Sequence, residues 1–307
     1  MNLRKNIRLF IRVICTVLLF SFSASDIFAE TAYDFRKKVI DRYEGEDSNS
    51  RIVMKLQKII HSKKDGGIKV KAERERKIVQ YRKAYGKDDK IVMFFLEPAD
   101  VRGTGFLSYV YDDSEKDNDQ WLYLPALKKI KRIASGDKSG SFMGSDFSFV
   151  DVSDIKIDEY KHKFLTDGDL KGLLKEKSVQ SILKKKFGKD GFSKAKIWLT
   201  TGGMKVVESI PVDKKILKDN GYSRIISWIK PDNLIIEKTL YFGKNKRAFK
   251  VRETIKSEKI QGIWSFTEMN MENFKKKHRT IIKFDDTKYN LGVKDSYFTQ
   301  RTLERGL

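Results

Sequence analysis

The stretch FFLEPADVRGTGFLSYVYDD at residues 94–113, followed by QWLYLPALKKIKRIASGDKSGSFMGSDFSFVD at residues 120–151, decides how the chain reads. It breaks into strand-length pieces of aromatic and aliphatic residues, separated by glycines, prolines and an acidic turn. It carries no recognisable catalytic set. Aromatics this dense, with no visible chemistry, predict a protein that holds something apolar.

The same rhythm extends outward. Ile52, Met54 and Leu56 alternate with Val53, Lys55 and Gln57, and Gly66-Gly67 reads as a turn. Ile68, Val70 and Ala72 then open a strand whose other positions carry Lys69 and Lys71. Residues 91–96 form a continuous apolar run ended by Pro98. Strand patterns recur over 197–200, 204–210, 225–229, 234–242, 249–255, 262–271 and 280–284. Helical spacing is confined to residues 33–43, with Phe35, Val39 and Ile40 apolar, and to residues 170–187. The fold class expected is mainly β, a single curved antiparallel sheet forming an incomplete barrel, with helices covering its cavity.

The N-terminus has the pattern of an export signal. Arg4, Lys5, Arg8 and Arg12 precede an apolar run over 13–22 that is too short to span a bilayer, and Ala29 supplies a small residue for cleavage. The expectation is a signal peptide over 1–29, a mature domain over 30–307 and a periplasmic location. Cys15 is apolar filler within the signal. It is the only cysteine, so the mature chain has no disulfide, thiol nucleophile or thiolate metal site. The chain carries 64 Lys and Arg against 42 Asp and Glu, a net +22, of which the signal holds +3. Such a charge suits anionic headgroups, acidic partners or plain solvation; export excludes nucleic acid.

The search for chemistry selects nothing. His61, His162 and His278 sit beside lysines with no helical zinc spacing and read as exposed. Gly103-Thr104-Gly105 and residues 136–140 lack the Gly-Lys-Ser/Thr of a phosphate loop, and residues 140–145 hold no nucleophile elbow. Asp117-x-Asp119 lacks the glycine and distal glutamate of a calcium loop. The expectation is no enzyme, no cofactor and no metal, although a carboxylate-pair hydrolase stays open as a further class. Basic runs stand at Lys128, Lys129, Lys131 and Arg132, at residues 184–186 and at residues 275–279. Each serves either as a solvated face or as a docking patch for an anionic membrane surface.

Several segments together resemble a known family. They are Phe95-Leu96-Glu97-Pro98-Ala99-Asp100-Val101-x-Gly103-Thr104-Gly105-Phe106-Leu107, Gln120-Trp121-Leu122-Tyr123-Leu124-Pro125-Ala126, and Ser141-Phe142-Met143-Gly144-Ser145-Asp146-Phe147. Gly262-Ile263-Trp264, residues 269–273 and residues 298–305 follow in order. The chain resembles the outer membrane lipoprotein-sorting proteins, relatives of the periplasmic lipoprotein carrier. The resemblance implies an unclosed antiparallel barrel whose cavity takes acyl chains, no catalysis, and an inner-membrane exporter of the resistance-nodulation-division type as a candidate partner. The lysine-rich stretch 163–194 matches no family motif and reads as a candidate lid. Phe94, Leu96, Phe106, Tyr109, Trp121 and Tyr123 are the candidates for cavity wall, each able to serve equally as plain core. The function expected is a lipid or lipoprotein carrier, with a non-catalytic accessory subunit of an exporter as the alternative.

Overall fold

The chain starts its sheet in the middle and finishes it there. β1 (Asp47–His61), β2 (Ile68–Tyr85), β3 (Asp88–Glu97), β4 (Gly105–Val110), β5 (Asp119–Leu124) and β6 (Lys129–Arg132) meander to one edge. The chain then crosses to the opposite edge. There β7 (Tyr160–Leu165), β8 (Lys205–Pro211), β9 (Tyr222–Ile229), β10 (Ile236–Gly243), β11 (Ala248–Ile260), β12 (Ile263–Asn273) and β13 (His278–Tyr289) return to pair β13 with β1. All neighbours are antiparallel, and the 13-stranded sheet is not closed, since β6 and β7 remain its two edges. The computed structural model describes residues 29–153, 155–189 and 191–306; all of the predicted signal peptide except Ala29 lies outside them. Residues Ala32–Leu307 make up one compact unit.

The sheet is curled, and two hydrogen bonds demonstrate it. Gln120 on β5 donates to the Phe149 carbonyl at 2.9 Å, while Tyr222 on β9 donates to the Asp151 carboxylate at 2.8 Å. Those acceptors are two residues apart, yet β5 and β9 stand nine strand spacings apart in the sheet order. Flat, nine spacings would cover about 43 Å. The strands therefore wrap around the crossing segment, which runs through the interior.

Alternation then sorts each strand into inner and outer residues. Ile52, Met54, Phe95, Phe106, Tyr241 and Met271 face inward and enclose Phe142, Phe147, Phe149 and Val150. Three helices cover the outer face of the second half: α2 (Asp167–Leu173), α3 (Lys177–Phe187) and α4 (Phe192–Trp198). Leu170, Val179, Ile182 and Leu199 there meet Ile226, Trp228 and Leu240. Ahead of them in the chain, α1 (Ala32–Ile40) packs Ala32 and Phe35 on Val207 and Ile229. Later, α5 (Lys214–Asn220) joins β8 to β9, and α6 (Gln300–Arg305) closes the chain. Val293, Phe298 and Leu303 of this last segment cover the outer face of β3 and β4.

Three sequence expectations change. Residues 197–200 were expected as strand, but α4 reaches Trp198; a four-residue apolar run cannot distinguish the two states, and here Leu199 is buried while Ile197 is exposed. Beyond β6, residues 133–153 form no strand, only one isolated bridge between Ser141 and Ser148. The lysine-rich stretch 163–194 does not cap the interior; α2 and α3 pack on the outer face.

Candidate functional site

The interior is built from the crossing segment. Met143 and Gly144 both adopt positive φ, 50° and 75°, and reverse the chain there. Phe142 donates to the Phe147 carbonyl at 2.8 Å and Ser145 to the Phe142 carbonyl at 2.9 Å, closing a compact loop. Its aromatics interlock with the strands. The Phe142 ring meets Phe106 edge-on at 5.0 Å and Phe149 at 5.6 Å, and Phe95 lies 6.2 Å away. Such pairs add about 0.5–1.5 kcal/mol each beyond their buried area.

Polar groups fasten this apolar loop. Asp151 and Lys250 form an ion pair at 2.8 Å with side chains 4% and 3% exposed. Asp151 also accepts from Tyr222 and from the backbone and hydroxyl of Ser148 at 2.7 and 2.8 Å. Burial alone would raise the Asp151 carboxyl; the Lys250 charge and these hydrogen bonds outweigh it and hold it below the usual carboxylate range. The same burial, with Asp151 alongside, pushes the Tyr222 hydroxyl well up. A second anchor is Asp146, which meets His278 Nδ1 at 2.6 Å and accepts from the Thr280 hydroxyl at 2.8 Å. Arg76 donates to the Met143 carbonyl, and Asn118 to the Ser153 carbonyl at 3.2 Å.

Two small cavities adjoin this loop. A cavity of about 260 Å³ lies between this loop and β9, β11 and β12, walled by Ser141, Phe147, Tyr222, Lys244, Lys250 and Lys276. Another of about 100 Å³ is walled by Arg36, Tyr160, His162, Thr239, Tyr241 and Arg252. A cavity near 150 Å³ takes one benzene ring, so the larger space would hold about ten carbons. Neither takes a full set of acyl chains while the loop is in place. Among the described residues, no group of three or more His, Cys, Asp or Glu could hold a metal ion.

The six wall candidates do not share one cavity. Phe106 faces the interior and is fully buried. Phe94, Tyr109, Trp121 and Tyr123 face outward beneath the C-terminal segment, where the Tyr109 hydroxyl donates to the Phe298 carbonyl at 2.6 Å. Leu96 is 46% exposed. β3 is apolar on both faces because both are covered, which erases the alternation that would have told Phe94 from Phe95. The histidines expected at the surface are partly buried: His61 pairs with Glu272 and stacks on Phe274, His162 bonds Ser209 at 2.9 Å, and His278 holds Asp146. Lysine neighbours misled because alternation sends Lys161 and Lys163 to the face opposite His162, while Lys63 and Lys277 lie in turns beyond the strands that hold His61 and His278.

The docking candidates lie at an edge. Lys128 sits in the left-handed turn after β5, and Lys129, Lys131 and Arg132 are exposed on β6. Arg132 engages Asp119, and Lys131 lies 3.9 Å from Asp137, so local acids offset half of that charge. Sequence reasoning missed Asp146, Lys250, Tyr222 and His278 as a cluster. The contacts join positions 28 to 132 residues apart, and no local pattern announces them.

Comparison with known proteins places this geometry. The chain is similar to a DUF1329 family protein from Desulfovibrio piger, with 29% identity and a TM-score of 0.68 over 89% of this chain and 97% of that one. It is similar to a putative outer membrane lipoprotein-sorting protein domain from Vibrio parahaemolyticus, at 25% identity and a TM-score of 0.69 over 89% and 98%. A LolA superfamily protein from Nitrosomonas europaea shares the fold at 16% identity, with a TM-score of 0.58 over 89% and 99%. No curated protein matches. The expected resemblance and the unclosed, mainly β fold are thereby borne out. Residues 87–305, well over half of the chain, match the model of a family described as "Uncharacterized protein", and the chain belongs to that family.

Proposed function

We propose that the protein is a periplasmic carrier that shields the acyl chains of a lipid or lipoprotein, with residues 139–153 as the exchangeable filling of its interior. The loop carries this reading: Phe142, Phe147, Phe149 and Val150 occupy the apolar centre, and buried polar bonds through Asp146 and Asp151 fasten the loop to the strands. An empty carrier would expose its apolar wall to water at about 25 cal/mol per Å². Its own aromatics avoid that cost until cargo arrives. On loading, the loop moves toward the gap between β6 and β7, acyl methylenes replace the rings at about 0.8 kcal/mol each, and water satisfies the released polar groups. No covalent bond is made or broken. The lipoprotein-sorting description of the Vibrio relative supports the reading.

A second reading is a cargo-free accessory subunit of an inner-membrane exporter. The filled interior favours it, because Phe142, Phe147, Phe149 and Val150 occupy the apolar centre and the space beside them is about 260 Å³. Gentle purification from the native host, organic extraction and mass spectrometry separate the two. The carrier should yield stoichiometric lipid, and Phe106→Asp, which places an unpaired charge in the interior, should abolish binding of a fluorescent fatty acid. Phe106→Ala provides the milder test if the aspartate variant unfolds. Empty protein that co-purifies with a transporter and ignores fatty acid would overturn the carrier in favour of the accessory.

A further inference from the structure

Three basic runs that the sequence keeps far apart meet at one end of the sheet. They are Lys63-Lys64 in the turn between β1 and β2, Lys184–Lys186 in the last turn of α3, and Lys275–Lys277 in the turn between β12 and β13. Their meeting is fixed mostly by backbone contacts. Lys189 donates its N–H to the carbonyls of Lys63 and Lys64 at 3.1 Å each. Ile59 donates to the Lys277 carbonyl at 2.9 Å. The Lys185 ammonium reaches the Phe274 carbonyl at 3.2 Å. Gly66 and Gly188 permit the closest approach, since a Cβ on either would lie 2.2 Å from a backbone oxygen of the other segment. Both also hold positive φ, 74° and 73°, so glycine is required twice over.

The turn between β1 and β2 differs from an ordinary solvated turn in its apolar residues. Ile60, Ile68 and Val70 are 48%, 36% and 40% exposed. The register pairs Ile59 with Val70, Ile60 with Lys69, and His61 with Ile68, so Ile60 lies on one face of the hairpin and the other two on the opposite face. Lysines 58, 63, 64, 69 and 71 surround them, against Asp65 as the only acid between residues 58 and 71. Exposed aliphatics ringed by lysines and held by a rigid neighbour suit a surface that is apolar beneath and negative above.

We infer that this end of the molecule, led by the β1–β2 hairpin, docks on anionic lipid bilayers, with Ile60, Ile68 and Val70 entering the interface and the converging lysines meeting the phosphates. It rests on the carrier reading only in placing the protein next to lipid. At the β6 edge Asp119 and Asp137 offset half of the cations, whereas here an acid engages only Lys186 of the converging lysines, through Glu253 at 2.6 Å, among the described residues; Lys63, Lys64, Lys184 and Lys275–Lys277 are the cations left for phosphates.

Co-sedimentation of the chain lacking residues 1–29 with vesicles of phosphatidylethanolamine and phosphatidylglycerol, set against phosphatidylcholine vesicles, tests the inference. The wild type should prefer the anionic vesicles and lose that preference as salt rises. Lys63→Glu/Lys64→Glu should weaken binding about thirtyfold or more, since each lysine near an anionic surface contributes about fivefold. Ile68→Ser/Val70→Ser should weaken it about threefold or more, and Lys131→Glu/Arg132→Glu should leave it within about twofold. A fluorophore on Ile68→Cys should shift to the blue on anionic vesicles. No anionic preference, as for a surface that serves an acidic protein instead, or full binding by the Lys63/Lys64 variant, overturns the inference. Fatty-acid uptake is read separately: its loss with docking intact removes the carrier reading alone, and the reverse outcome removes docking alone.

Discussion

Residues 139–153 and the helices α2–α4 cover opposite faces of the same strands, β9 to β11, and each lies over a buried lysine. Inside, Lys250 meets Asp151 directly, and the pair draws in Tyr222 and Ser148. Outside, Lys238 lies 4.6 and 4.7 Å from the ring centres of Trp198 and Trp228 and donates to the Trp198 carbonyl. The inner cover thus adds a fully buried ion pair to its aromatic packing, with Lys250 also 4.8 Å from the ring centres of Tyr222 and Tyr241. The outer cover has ion pairs as well, Lys186 with Glu253 at 2.6 Å and Arg224 with Glu176 at 2.7 Å, but these are partly exposed, and its buried cation, Lys238, lies on aromatic faces. On the carrier reading proposed above, the inner cover is the one that exchanges with cargo and the outer cover the one that stays.

The largest expected effect comes from breaking the inner pair. Lys250→Met leaves Asp151 buried without its cation and should cost about 3–5 kcal/mol in urea unfolding. Adding Asp151→Asn should recover about 2 kcal/mol or more, because removing both charges ends the imbalance. If Lys250→Met unfolds like the wild type, the inner cover is not held by charge. In the outer cover, Trp198→Leu should cost roughly 2 kcal/mol and leave fatty-acid binding unchanged; reduced binding would mean that the two covers are coupled. The smallest effect is a pH slope. Burial pushes the Lys238 ammonium down from 10.5 to about 8, with Glu253 opposing only in part. In that window the unfolded chain holds the proton and the folded chain releases it, so stability rises with pH, by at most about 1.4 kcal/mol per unit. Lys238→Met should flatten that rise, and an unchanged slope would assign it to other groups.

The elements were legible wherever one physical rule dominated. Strands flanked by Pro98, Pro125 or Gly243 were readable because turn residues end them, and α3 because Val179, Ile182 and Leu183 repeat at helical spacing. Faces were not legible. Phe94 and Phe95 read alike since each is buried under a different cover. The interior cluster was illegible for another reason: Asp146 and His278 have no relation in sequence until the curl brings them within 2.6 Å. The aromatic richness of residues 141–150 was visible, but an apolar loop that fills a cavity and an apolar strand that walls one have the same composition.

The pairing of β1 with β13 has a consequence for how the molecule is made. A chain synthesised from its N-terminus completes the meander from β1 to β6 early, with neighbours joined by short turns. β1 then waits with one edge open until residues 278–289 appear, since its partner is the last strand. Ten register partners, from Ser48 with Tyr289 to Lys58 with His278 and broken by one bulge between Asn49 and Arg51, join at the final step, and closing so long a loop is slow. Until then, the edge of β1 is a template for any stray strand, in a chain whose finished sheet hides that edge at its centre.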